Sequence, residues 1–153
     1  RFEQFIDLPR DNVFRFFSKP QNLSLITPPR LKFNILTPTP LLMKEGQLID
    51  YSLIIMYCIK LRWRTLITHY EKPYKFIDQQ IKGPYSLWHH THIFEEKNGG
   101  TLIKDEVTYS VPFGLIGRFM NAIYIQYDVK SIFKYRHKIL DQIFDHIKKQ
   151  EKE

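Results

Sequence analysis

Cysteine is nearly missing from this sequence. Cys58 is the single one, which excludes an intramolecular disulfide and a thiolate zinc cluster. Six glycines are too few for a collagen-like repeat, and heptads are absent. The longest uncharged apolar stretch, Leu53–Ile59, is far short of the ~18 residues a membrane-spanning helix needs. No basic segment leads into an apolar one near the front, so no secretory signal is read and a cytoplasmic protein is expected. Internal repeats, low-complexity segments and linkers are missing too. No Gly-x-Ser-x-Gly occurs, and Gly99-Gly100 belongs to a hairpin turn rather than a phosphate-cradling loop.

What is present fits one globular domain over residues 1–153. Hydrophobic residues make up 43% and charged residues 25%, enough for a packed core and too apolar for a disordered chain. Aromatics reach 15%, with 12 Phe and 9 Tyr, which suits a large interior or a binding cavity. The net charge of +7 raises nucleic acid or an anionic membrane surface as partners. That charge is spread along the chain, and stacking aromatics are not interleaved with it, so nucleic acid is not the expected partner. Lys60, Arg62 and Arg64 alternate outward, and Lys130, Lys134 and Lys138 form an i, i+4 ladder. Both read as solvated faces that can touch an anionic bilayer transiently.

Arg1–Ile6 alternates as a strand. Pro9 and Asp11 open a helix that places Val13, Phe14 and Phe17 on one side, and Pro20–Ile26 allows a second short one. From Leu31 to Val111 the period is two. Runs at Leu31–Ile35, Ile49–Tyr57, Trp63–Ile67, Tyr74–Lys82, Tyr85–Glu96 and Thr101–Val111 are separated by Pro and Gly turn signals. Cys58 falls in an apolar strand and reads as inert packing. After Pro112-Phe113-Gly114 the period turns helical. Ile116, Phe119, Met120, Ile123 and Tyr127 form one stripe, and Val129, Ile132, Phe133, Leu140 and Ile143 belong to another. The offset predicts a short helix, a break near Asn121–Gln126 and a helix of about 25 residues, with Lys148–Glu153 frayed. The expected class is α+β: a curved antiparallel sheet of about seven strands wrapped around a long C-terminal helix.

This order resembles the START-like or helix-grip superfamily, also called SRPBCC or polyketide cyclase/dehydrase-like. The resemblance rests on Leu8-Pro9 with Val13–Phe17, Asn22-Leu23 with Thr27-Pro28-Pro29, Gly83-Pro84-Tyr85 with Trp88–Phe94, Pro112-Phe113-Gly114, and Ile132–Arg136. Within the superfamily the chain looks like a bacterial ligand-binding SRPBCC subgroup. The resemblance implies a deep cavity between helix and sheet that holds an apolar or amphipathic ligand. The Cys/His cluster of the oxygenase relatives is missing.

The sharpest local inference concerns the last hairpin. Asn98-Gly99 signals a two-residue type I′ turn. Counting back from it pairs Phe94 with Ile103, His92 with Asp105, His90 with Val107 and Trp88 with Tyr109. One dry face then carries two imidazoles and a carboxylate among aromatics. Three readings stay open: a hydrogen-bonded network that satisfies buried polar atoms, a cavity wall that orients a ligand's polar end, and a two-His, one-carboxylate metal site. Same-face residues on a strand lie about 6.5–7 Å apart, a gap that inward-leaning rings can close. With three ligands and no visible supporting shell, neither metal nor cofactor is expected. Asp78 and Gln80 alternate with Phe76 on the preceding strand. An odd-length loop puts Asp78 beside His90, and a two-residue loop turns it outward; the resemblance favours the inward arrangement.

Arg136 falls in the middle of the long helix's apolar stripe. Buried arginine needs a partner, so its guanidinium is expected at a rim, on Asp105 or Asp78, or on an anionic ligand head group. The candidate ligand-binding residues are Asp78, Gln80, Trp88, His90, His92, Phe94, Asp105, Tyr109 and Arg136. The leading function is binding or transport of a hydrophobic or amphipathic small molecule. The rival is a cyclase-, dehydratase- or hydrolase-like enzyme using His90, His92 and Asp105 as acid–base groups.

Overall fold

The structure is a computed structural model and describes residues 1–55 and 58–150. Strand β1 (Phe2–Ile6) leads to helix α1 (Arg10–Phe17) and two 3₁₀ turns (Pro20–Ser24 and Pro29–Leu31). Strands β2 (Asn34–Ile35), β3 (Leu48–Ile55), β4 (Ile59–Glu71), β5 (Lys75–Lys82), β6 (Leu87–Lys97) and β7 (Gly100–Ser110) follow. Helix α2 (Gly114–Met120), a π-helical turn (Asn121–Ile125) and helix α3 (Gln126–Gln150) complete the described chain. Every described strand joins one antiparallel sheet in the order β1-β7-β6-β5-β4-β3-β2. This is the α+β arrangement expected, a curved sheet gripping the long helix.

The β6–β7 register follows from its turn. Asn98 and Gly99 both take positive φ, 49° and 80°, as a type I′ turn requires, and Lys97 pairs with Gly100. All the pairs counted from that turn are present, including His92 with Asp105 and His90 with Val107. Asp78 pairs with His90 across β5–β6, so the odd-length connection is the real one.

Helix α1 buries Val13, Phe14 and Phe17 as its spacing predicts. They pack with Phe76, Phe94, Leu140 and Phe144 into one core cluster, and Ile49, Tyr51, Leu53 and Ile67 form a second. Helix α3 turns Val129, Phe133, Arg136, Leu140 and Phe144 inward. The stripe on α2 and the π turn behaves differently, because Ile116, Phe119, Ile123 and Tyr127 are exposed. The chain enters α2 through left-handed residues, Phe113 at φ 73° and Gly114 at φ 54°, which explains a glycine at that corner.

Three local expectations change. Leu31 closes a 3₁₀ turn begun by Pro29 and ended by left-handed Lys32, so β2 shrinks to two residues. Cys58 is exposed in the turn between β3 and β4, where its N–H donates to Ile55 O, rather than packed in a strand. Lys148 stays helical, held by an ion pair with Asp7, while residues 151–153 and Tyr57 lie outside the described residues. No helix among the described residues is long and apolar enough to cross a membrane.

Candidate functional site

A partly open cavity of about 650 Å³ lies between the sheet and α3. Its walls are largely apolar and draw on both core clusters, on Trp63 and Tyr85, and on the Phe113–Ile125 segment. Trp63, Tyr85 and Trp88 form an aromatic corner, with the two indoles edge to face at 5.3 Å.

The polar groups concentrate on one wall. Alternation on β6 sends His90 and His92 to the same side, and the β5–β6 register brings Asp78 beside them. The two rings close to a 3.7 Å centroid separation. His90 Nε2 donates to Asp105 Oδ1 at 2.8 Å, and His92 Nε2 donates to Asp78 Oδ2 at 2.9 Å. On the other ring nitrogens, His90 Nδ1 is 3.6 Å from Asp78 Oδ2 and His92 Nδ1 is 2.8 Å from Asp105 Oδ1. That last approach is off the hydrogen-bond direction, so it is an electrostatic contact and not a formed bond.

The four groups tune one another. Burial pushes the His90 imidazole below its ordinary pKa, and the neighbouring His92 adds to that, against the pull of Asp105 and Asp78. Burial also pulls His92 down, but Asp105 and Asp78 outweigh it and hold this imidazole above the usual range. Burial alone would raise both carboxyls; the two histidines, joined at Asp78 by the charge of Arg136, more than offset it and keep Asp105 and Asp78 below the usual carboxylate range.

Arg136 also reaches the cavity. It is only 9% exposed, and its guanidinium carbon lies 4.9 Å from the Phe133 ring centroid. Among the described residues its guanidinium makes no ion pair with Asp78 or Asp105, whose close partners are the two imidazoles. Its Nε is buried with no hydrogen-bond partner among the described residues, as is Trp63 Nε1. The expectation of an Arg136 pair with a sheet carboxylate is thereby corrected: the histidines occupy both carboxylates, and Arg136 stacks on its helical neighbour instead.

Of the nine candidate residues, Asp78, Trp88, His90, His92 and Arg136 line the cavity. The other four lie outside its walls. Asp105 sits behind the two imidazoles. Gln80 donates from Nε2 to Tyr85 O at 2.7 Å and accepts from Tyr85 N, bracing the β5–β6 connection. Phe94 is spent in the α1 core. Tyr109 donates to Asn121 Oδ1 at 2.9 Å and ties β7 to the π turn. Trp63 and Tyr85 also line the cavity and are not among the nine. Trp63 was legible in the sequence, since it alternates with buried Thr65 and Ile67.

Solved structures match this architecture over most of the chain. A Chromobacterium violaceum protein has a TM-score of 0.71 at 11% identity, with 94% of each chain covered. A Mycobacterium smegmatis protein has a TM-score of 0.68 at 14% identity, covering 95% of this chain and 89% of that one. Major latex-like protein 151 from ginseng, Panax ginseng, has a TM-score of 0.67 at 10% identity, with 94% of each chain covered. The fold is a helix-grip. Identities this low carry the fold and nothing finer. No protein-family model matches the sequence, and no curated protein matches it either.

Proposed function

We propose that this helix-grip chain binds a hydrophobic or amphipathic small molecule between its sheet and α3, in the manner of the START-like ligand-binding proteins it resembles. The observation that carries this reading is the cavity of about 650 Å³, within the range of small-molecule sites, with apolar walls and a few convergent polar groups. The apolar body of the ligand packs against the Trp63–Tyr85–Trp88 corner. Its polar end meets Asp78, His90, His92 and Arg136. The unpartnered N–H groups of Arg136 and Trp63 favour a ligand end that accepts hydrogen bonds, and the guanidinium favours an anionic one.

Native mass spectrometry of protein purified from its own host, before and after organic extraction, tests this reading. An extractable small molecule is expected. Val129 is a buried cavity-wall residue, so Val129→Trp should fill the space and exclude the ligand while the far-ultraviolet circular dichroism stays unchanged. A ligand retained equally by the Val129→Trp protein lies elsewhere and ends the proposal.

A second reading, small-molecule catalysis, is favoured by one observation: two imidazoles 3.7 Å apart on the cavity wall, each hydrogen-bonded to its own carboxylate. Alanine at His90 or His92 separates the two. A binder keeps most of its affinity, whereas an enzyme keeps its ligand and loses turnover.

A further inference from the structure

We infer that Asp78, His90 and His92 form a binding site for a divalent first-row transition metal on the cavity wall. One ligand atom from each of the three lies within 4.8 Å of the other two. Asp78 Oδ2 is 2.9 Å from His92 Nε2 and 3.6 Å from His90 Nδ1. Metal–ligand bonds of about 2.0–2.2 Å at tetrahedral to octahedral angles place donor atoms about 3–3.5 Å apart, so both Asp78–imidazole spacings are already near coordination values and the two imidazoles need only close from within 4.8 Å.

The arrangement behind the rings strengthens the case. The nitrogens that face away from Asp78, His90 Nε2 and His92 Nδ1, each lie 2.8 Å from Asp105 Oδ1. Metal-binding histidines characteristically turn their second nitrogen to a carboxylate that fixes the tautomer and the ring orientation. Asp105 holds the His90 ring by a formed hydrogen bond and lies against His92 Nδ1 in an electrostatic contact. Asp78, His90 and His92 line the cavity whereas Asp105 does not, so the ligands face open space and their support faces protein. The sequence supplied a His-x-His pair with Asp105 as the third ligand and no supporting shell. The structure exchanges the roles: Asp78 is the ligand and Asp105 the support.

Two imidazoles and one carboxylate with an open side suit zinc, iron, cobalt or nickel rather than the all-oxygen sites of magnesium and calcium. Binding displaces the His92 Nε2 proton to solvent, and the ring ligates as a neutral imidazole with its one proton on Nδ1, beside Asp105. His90 keeps its proton on Nε2. Arg136 makes no ion pair with Asp78; the hydrogen-bond partner of that carboxylate is His92, itself one of the three ligands, so the ion replaces this bond.

The inference goes beyond the cavity's organic ligand and is read without one, so either can fail while the other stands. The experiment titrates untagged, chelator-treated protein with zinc by calorimetry, and with cobalt by visible absorption. One zinc per chain is expected, with cobalt d–d bands of a low-coordinate nitrogen/oxygen site. Asp78→Asn and His92→Ala should each weaken zinc by at least about 100-fold, and Asp105→Asn by about 10–100-fold with the stoichiometry unchanged. His69→Ala, on the surface, should change nothing. A wild-type protein without cobalt bands or zinc heat overturns the inference, as does zinc binding that survives Asp78→Asn in a folded protein.

Discussion

Arg136 stacks on Phe133 at 4.9 Å and makes no ion pair with either carboxylate of the adjacent sheet wall, although it is only 9% exposed. A buried cation without a carboxylate partner costs stability instead of adding to it. Arg136→Met keeps the stem packing and removes the charge. The variant should be as stable as wild type, within about 1 kcal/mol, or more stable. It should also lose affinity for amphiphiles with a carboxylate head while retaining neutral analogues. A loss of about 3–5 kcal/mol in urea unfolding, the signature of a broken buried pair, would show that Arg136 has a partner after all.

The two tryptophans of the sequence both line the cavity, edge to face at 5.3 Å. Intrinsic fluorescence should therefore report occupancy directly. An apolar ligand should displace water from the indoles and shift their emission to the blue, in proportion to binding measured independently. Emission indifferent to a bound ligand would place that ligand outside the cavity.

Phe14 is fully buried, with its ring 5.3 Å from Phe94, 5.5 Å from Tyr70 and 6.1 Å from Phe76. Phe14→Ala should cost about 3–5 kcal/mol, through lost burial and the void left behind. Urea denaturation measures this, and a cost under about 1 kcal/mol would mean that α1 does not pin the sheet.

Burial pushes the Tyr51 phenol up, with the Asp78 charge adding to it, and burial likewise pushes Tyr85 up, with Asp128 adding. A phenol with a raised pKa in the fold stabilises the protein fully below the unfolded value of about 10. That stabilisation is lost as pH rises further, because the unfolded chain ionises first. Ultraviolet titration of the native protein should leave at least these two of the nine tyrosines un-ionised until alkaline unfolding releases them. Simultaneous ionisation of all nine near the ordinary value, with the fold intact, contradicts the burial of Tyr51 and the partial burial of Tyr85.

The exposed segment from Phe113 to Tyr127 forms an apolar patch at the cavity. Phe113 is 81% exposed and Ile116 73%, and both also line the cavity. Lys130 Nζ sits 5.8 Å from the Tyr127 ring centroid, and Arg118 lies within the segment. We propose that this patch is where the protein touches an anionic bilayer to exchange its ligand. Phe119→Ser and Ile116→Ser together should abolish sedimentation with phosphatidylserine vesicles and leave the unfolding free energy within about 0.5 kcal/mol of wild type, as for other surface changes. Wild-type protein that fails to sediment with such vesicles at low salt removes the membrane from consideration.

What could be read along the chain was whatever a few neighbouring residues decide. Asn98-Gly99 sets a turn whose geometry admits one pairing, and every contact of the β6–β7 ladder follows from it by counting in twos. The 25-residue α3 and the irregular turn before it follow from a shift in helical phase. Packing between distant segments settled the rest. The phase shift did not say which stripe would stay wet, because that depends on where the sheet stops covering the helix. Alternation put Asp105 on the dry face, but only the approach of β5 to β6 made Asp78 the group in front and Asp105 the group behind. The apolar stripe placed Arg136 inside and left its partner open. That answer came from three strands and a helix meeting in space, where both carboxylates were already taken by His90 and His92.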